Sequence, residues 1–206
     1  QNSQPAVSAL VCMRGQMLGE PRAFCRGTLR RAAWRRRLRG VRALLNRCVV
    51  FSHGKDAEPW GSKIVALAER ARERGYSVES VDYRGIDSVE ARLDKLLAAC
   101  AGLPAAPVLV GSSLGAFLAA AASRRVAASR LFLMAPAVDL PGLPTLPEMA
   151  ACPTTVVHGW RDEVVPVEKG IALARAQRAT LHVVDDDHRL HASLPRIAQW
   201  FDEFLR

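Results

Sequence analysis

The chain has no apolar run approaching the ~18 residues that a membrane-spanning helix needs. It has no C-x-x-C pair and no other metal-type cysteine spacing. Its five cysteines, Cys12, Cys25, Cys48, Cys100 and Cys152, are odd in number, and the last three sit in or beside apolar runs. Neither a disulfide framework nor a metal site is expected. Inert thiols in a reducing, cytoplasmic setting are. Acids are nearly missing from residues 1–47, which hold only Glu20 against eleven arginines and no lysine. Residues 48–206 hold eighteen basic and nineteen acidic residues. The net charge of +9 therefore belongs to the N-terminal segment. The nearly neutral remainder gives no reason to expect nucleic-acid binding.

What is present is an ordinary globular composition, 50% hydrophobic and 24% charged over 206 residues. That is enough for one sizeable core and a tail. Two segments are expected. Residues 1–47 form an Arg-rich extension. Ala6 to Met13 is mildly apolar but follows no basic residue, so it makes a poor secretory signal. Trp34, Leu38, Val41 and Leu45 would share one helix face among arginines, with Gly40 weakening the helix. The extension is expected to be disordered or partly helical, to touch anionic surfaces weakly at most, and to be dispensable for folding.

Residues 48–206 read as one α/β domain. Strand signals at Cys48–Phe51, Tyr76–Tyr83, Pro107–Val110, Leu131–Met134, Thr154–Val157 and Leu181–Val184 alternate with helix signals. The helices fall at Ile64–Arg74, Val89–Ala101, Leu114–Arg125, Val167–Gln177 and Ile197–Leu205. This rhythm predicts a mostly parallel sheet of about six strands, with helices on both faces. Residues 135–153 break it with five prolines, which forbid a long helix and predict a short loop over the ligand-binding edge.

The third strand runs into Gly111-Ser112-Ser113-Leu114-Gly115, and an Ala-rich helix follows. Strand, G-x-S-x-G and helix together describe a nucleophile elbow, in which Ser113 Oγ projects from a sharp turn at a helix N-terminus. A serine needs a base, and the base needs an orienting acid. Asp162, in the turn after the fifth strand, is the leading acid, with Glu163 and Asp139 as competitors. His188, after the sixth strand, is the leading base, with His191 as runner-up. His182 and His53 read as structural. A developing oxyanion would need two backbone donors, here the N–H groups of Leu114 and Lys55. Trp60 and Trp160 are candidates for walls of a substrate pocket.

Ser52-His53-Gly54-Lys55, Gly111-Ser112-Ser113-Leu114-Gly115, His158-Gly159-Trp160-Arg161-Asp162 with Val165-Pro166, and Asp187-His188 occur in that order. In this the chain resembles the α/β-hydrolase superfamily, and in particular its small, lidless bacterial esterases and thioesterases. The resemblance covers about residues 48–206 and leaves residues 1–47 without support. It implies a minimal form of that fold, since the space of two usual leading strands holds the Arg-rich segment. It also implies a Ser113–Asp162–His188 triad acting on small or medium acyl esters or thioesters, with no cofactor and no metal. The competing expectation is a non-enzymatic binding protein on the same fold, whose basic extension contacts membrane or nucleic acid.

Overall fold

The computed structural model describes residues 47–206. Apart from Arg47, the Arg-rich extension lies outside the described residues, as do Cys12 and Cys25. Six strands form one sheet in the order β2-β1-β3-β4-β5-β6, and every pairing is parallel. They are β1 Cys48–Ser52, β2 Ser77–Val81, β3 Val108–Ser112, β4 Arg130–Met134, β5 Thr154–Gly159 and β6 Thr180–Val184. The helices are α1 Ser62–Glu73, α2 Val89–Ala101, α3 Leu114–Ala122, α4 Val167–Gln177 and α5 Leu194–Phe204.

The strand sequences explain their rank in the sheet. β1, β3 and β5 are buried at every residue, as continuous apolar runs covered on both faces require. β2 is an edge strand, and its polar Ser77 and Glu79 are exposed between half-buried neighbours. Alternation along each strand divides the core in two. Val49, Phe51, Val108, Val110, Phe132 and Met134 face α1 and α5, where Leu67 and Phe201 are fully buried. Val50, Leu109, Leu131, Leu133 and Val156 face the other way, toward α2, α3 and α4. Phe132 and Phe201 meet edge-on with ring centroids 5.1 Å apart. α3 is buried at all nine residues, and its small side chains let it lie close to the sheet.

Several expected boundaries move: the second strand shortens to Ser77–Val81, the first helix becomes Ser62–Glu73, and the last helix starts at Leu194 and not at Ile197. The helix after the elbow ends at Ala122 and not at Arg125. Ser123 Oγ donates back to the Ala120 carbonyl at 2.6 Å, and the Ser123 carbonyl accepts from the Ala128 N–H at 2.8 Å. Those bonds turn the chain before Arg124 and Arg125 can extend the helix. Among the described residues no helix is long and apolar enough to cross a membrane. Cys48, Cys100 and Cys152 are free, and burial pushes the Cys100 thiol up to about 11.

Because all strands run one way, their C-terminal ends share one edge. Ser52, Ser112, Gly159 and Val184 end β1, β3, β5 and β6 there, and the loops that follow carry the candidate site residues.

Candidate active site

Ser113 sits between β3 and α3 with φ 55° and ψ −122°, a conformation that L residues rarely adopt. Close backbone packing over-determines it. A Cβ on Gly111 would overlap the Gly115 carbonyl and Ala116, and one on Gly115 would overlap the Ser52 carbonyl. Only glycine lets β3, α3 and the end of β1 meet this closely. The Ser113 N–H donates to the Met134 carbonyl at 2.9 Å, which ties the turn to β4.

Ser113 Oγ lies 2.9 Å from His188 Nε2, and His188 Nδ1 lies 2.8 Å from Asp162 Oδ2. The three leading candidates thus stand in one hydrogen-bonded line. With Nδ1–H donating to the carboxylate, Nε2 of the neutral ring accepts the serine proton. The Asp162 side chain is fully buried. Its Oδ1 accepts the N–H groups of Val164 at 2.9 Å and Val165 at 2.8 Å. The Asx-turn that these residue types favour therefore aims the other oxygen at His188.

His158 is the component that sequence reasoning missed. Its Nε2 donates to the Val165 carbonyl at 2.9 Å, and the same nitrogen lies 3.1 Å from Asp162 Oδ2. The i,i+4 spacing to Asp162 was visible in the sequence, but His158 reads there only as the residue just past the fifth strand. Its Nδ1 is buried without a partner among the described residues, and a Cβ on Gly170 of α4 would overlap that atom.

The His188 loop is held by its neighbours. Asp186 Oδ1 accepts from the Asp187 N–H at 2.8 Å, and Oδ2 accepts from the Ser193 N–H at 2.7 Å, spanning the turn that carries His188. Burial alone would raise the Asp186 carboxyl; the Ser193 and Asp187 N–H groups more than offset it and hold it below the ordinary carboxylate value. Asp187 Oδ1 accepts from the Arg189 N–H, and Asp185 pairs with Arg161 at 2.8 Å. A Cβ on Gly159 would overlap the Asp186 carbonyl, so the acid-bearing and base-bearing loops touch through backbone.

On the opposite side, His53 Nδ1–H donates to the Gly54 carbonyl at 2.8 Å, and its Nε2 accepts the Tyr83 N–H at 3.0 Å. Burial, reinforced by the positive charge of Arg92, lowers its pKa and keeps this ring neutral. A peptide's N–H points away from its carbonyl, so pinning Gly54 O directs the Lys55 N–H to the other side. The loop lies on the elbow: a Cβ on Gly54 would sit 3.5 Å from Ser113 Cβ. Neither the Lys55 N–H nor the Leu114 N–H, at the first position of α3, has an acceptor among the described residues.

The remaining candidates lie elsewhere. Asp139 and Glu163 are exposed, and neither bonds His188. His191 is exposed, 3.4 Å from Ser62 Oγ. His182 stacks on Trp200 with centroids 3.9 Å apart. Trp160 is 59% exposed on the Asp162 loop. Trp60 is 44% exposed and lies under the Arg72 guanidinium, 5.5 Å away. Among the described residues no ring contact or hydrogen bond links either tryptophan side chain to Ser113 or His188. In the Pro-rich segment, residues 135–138 are buried against the elbow, with the Ala137 N–H 3.3 Å from the Ser113 carbonyl.

This arrangement can raise a serine oxygen as a nucleophile, take its proton on an imidazole, and offer two free N–H groups to an oxyanion. The alpha/beta hydrolase family matches residues 49–205. A crystal structure from Xanthomonas campestris pv. campestris, described as a hydrolase of the alpha/beta superfamily, is 37% identical, with a TM-score of 0.73 over 78% of this chain and 98% of that one. An alpha-beta serine hydrolase homologue from Coxiella burnetii is 21% identical, with a TM-score of 0.67 over 78% and 85%. A lidless a/b serine hydrolase from Xanthomonas campestris is 19% identical, with a TM-score of 0.66 over 77% and 80%. No curated protein matches the chain. A six-stranded parallel sheet, an elbow at the end of β3 and the family match over most of the chain lead to one assignment: the chain belongs to the alpha/beta hydrolase family.

Proposed function

We propose that this hydrolase cleaves small or medium carboxylic esters or thioesters through an acyl-enzyme on Ser113. One observation carries the reading: the unbroken line from Ser113 Oγ through His188 to Asp162, at 2.9 and 2.8 Å, with Ser113 held at positive φ. His188 Nε2 takes the Oγ proton as Oγ attacks the acyl carbonyl. Asp162 steadies the imidazolium at Nδ1. The Leu114 and Lys55 N–H groups receive the oxyanion. His188 then gives its proton to the leaving alcohol or thiol. Water, deprotonated by His188, attacks the acyl-enzyme and releases the acid and Ser113.

Apart from substrate and the hydrolytic water, each step uses only side chains and backbone of this chain. Oxyanion donors of this kind typically contribute ~10²–10³ in rate, so the loop geometry adds to what the three side chains supply. A short loop over residues 135–153, with no inserted lid helix, favours substrates that need little enclosure.

A fluorophosphonate probe tests the reading. The intact chain is expected to label and to hydrolyse p-nitrophenyl acetate or butyrate, and Ser113→Ala to do neither. A folded intact chain that resists the probe overturns the reading and leaves a binding protein on a hydrolase fold.

A further inference from the structure

Beneath the loop that carries Lys55 lies a buried cation with no part in the steps above. Arg92 projects from α2 and is 4% exposed. Its Nε donates to the Ile86 carbonyl at 2.6 Å, and one terminal nitrogen donates to the Lys55 carbonyl at 3.2 Å. The guanidinium lies 5.7 Å from the centre of the Tyr83 ring. Its other terminal nitrogen is buried with no partner among the described residues. No carboxylate is among its hydrogen-bond partners. Burying a guanidinium without a counter-ion opposes folding, so stability alone gives no reason for it.

The reason lies in what it grips. Lys55 is flanked by two peptide planes. His53 holds the carbonyl of the Gly54–Lys55 plane, and Arg92 holds the carbonyl of the Lys55–Asp56 plane. With both planes fixed, the φ and ψ of Lys55 are fixed, and so is the direction of its N–H. Residues 55–58 are exposed, and burial offers this stretch no other anchor until Pro59. A guanidinium fork suits the task because separate nitrogens reach carbonyls of two different loops.

We propose that Arg92 is a positioning residue for the oxyanion site, locking the Lys55 peptide so that its N–H meets the charge that develops on the substrate carbonyl. The proposal rests on the hydrolase reading above.

The test compares Arg92→Met and Arg92→Lys with the wild-type chain on p-nitrophenyl butyrate, with Tm measured on each. Methionine fills a similar volume and removes the buried charge. Arg92→Met is expected to keep or raise Tm while kcat falls about ten- to hundredfold, with KM unchanged. Arg92→Lys keeps the charge and at most one of the two bonds, and is expected to fall between. A structural role predicts the reverse pattern, a lowered Tm with kcat intact, and that result overturns the proposal. If Arg92→Met does not fold, Arg92→Lys decides: wild-type kcat overturns the proposal, and reduced kcat at unchanged KM carries it. If neither variant folds, Arg92 serves the fold and the proposal is overturned. A wild-type chain that neither labels nor hydrolyses brings down the hydrolase reading and this inference together. An active wild type matched by both variants brings down the inference alone.

Discussion

His158 Nε2 lies 3.1 Å from the same Asp162 oxygen that holds His188, on the buried side, while His188 approaches to 2.8 Å on the solvent side. Asp162 is thus seated between two imidazoles. Gly170 leaves room for the inner ring, because any side chain there would enter the space of His158 Nδ1. Gly170→Ala in a helix interior ordinarily stabilises by up to about 1 kcal/mol. Here the sign is expected to invert, with a loss of about 1–3 kcal/mol from overpacking. Urea unfolding reads the loss, and a fall in kcat follows from the displaced carboxylate. A variant as stable and as active as wild type would show that His158 has room to move.

Asp162→Asn preserves shape but can present an amide N–H where His188 Nδ1–H now donates. The imidazole would then carry its proton on Nε2 and could not accept one from Ser113. By analogy with other serine hydrolases, kcat is expected to drop about 10⁴-fold with the fold intact. Steady-state kinetics beside an unchanged circular-dichroism spectrum checks it.

Ser113 stores strain at φ 55°, and removing the side chain separates strain from function. Ser113→Gly and Ser113→Ala are both expected to be inactive. Ser113→Gly should be the more stable of the two by about 1–3 kcal/mol, because only glycine is at ease in this conformation. Equal Tm values for the two variants would place the strain elsewhere.

Asp186 carries a pH signature. Its folded carboxyl titrates below its unfolded value of about 3.9, so the stability it contributes is present above that pH and is lost as pH falls through the folded value. Asp186→Asn is expected to lower stability at neutral pH. The gap from wild type should close as the pH falls below about 4. A pH series of urea midpoints for both proteins reads it, and a gap constant with pH would assign the effect to lost packing.

The fold was legible because most of its strands are short apolar runs bounded by turn residues, and because Ala-rich α3 has strong helix propensity. Ser113, Asp162 and His188 could be proposed for the same reason: each stands just past a strand end, and a parallel sheet gathers those ends. Arg92 could not be found this way. Its partners are main-chain carbonyls of Lys55 and Ile86, and carbonyls leave no mark in a sequence. The setting of Trp60 was equally hidden, since the direction of a loop side chain depends on packing, here against Arg72. The helix end at Ala122 was overrun because Arg124 and Arg125 favour helix, while the Ser123 bonds to Ala120 and Ala128 that turn the chain are ones a lone serine does not announce.

The glycines around the elbow divide the site by mechanical origin. Where Gly111 and Gly115 let strand and helix meet, no rotamer intervenes between the sheet and Ser113, so the nucleophile inherits the rigidity of the whole sheet. His188 hangs from a turn clasped by the two oxygens of Asp186. Heating is therefore expected to displace His188 before Ser113, so that on the proposed reading activity falls below the unfolding transition and returns on cooling.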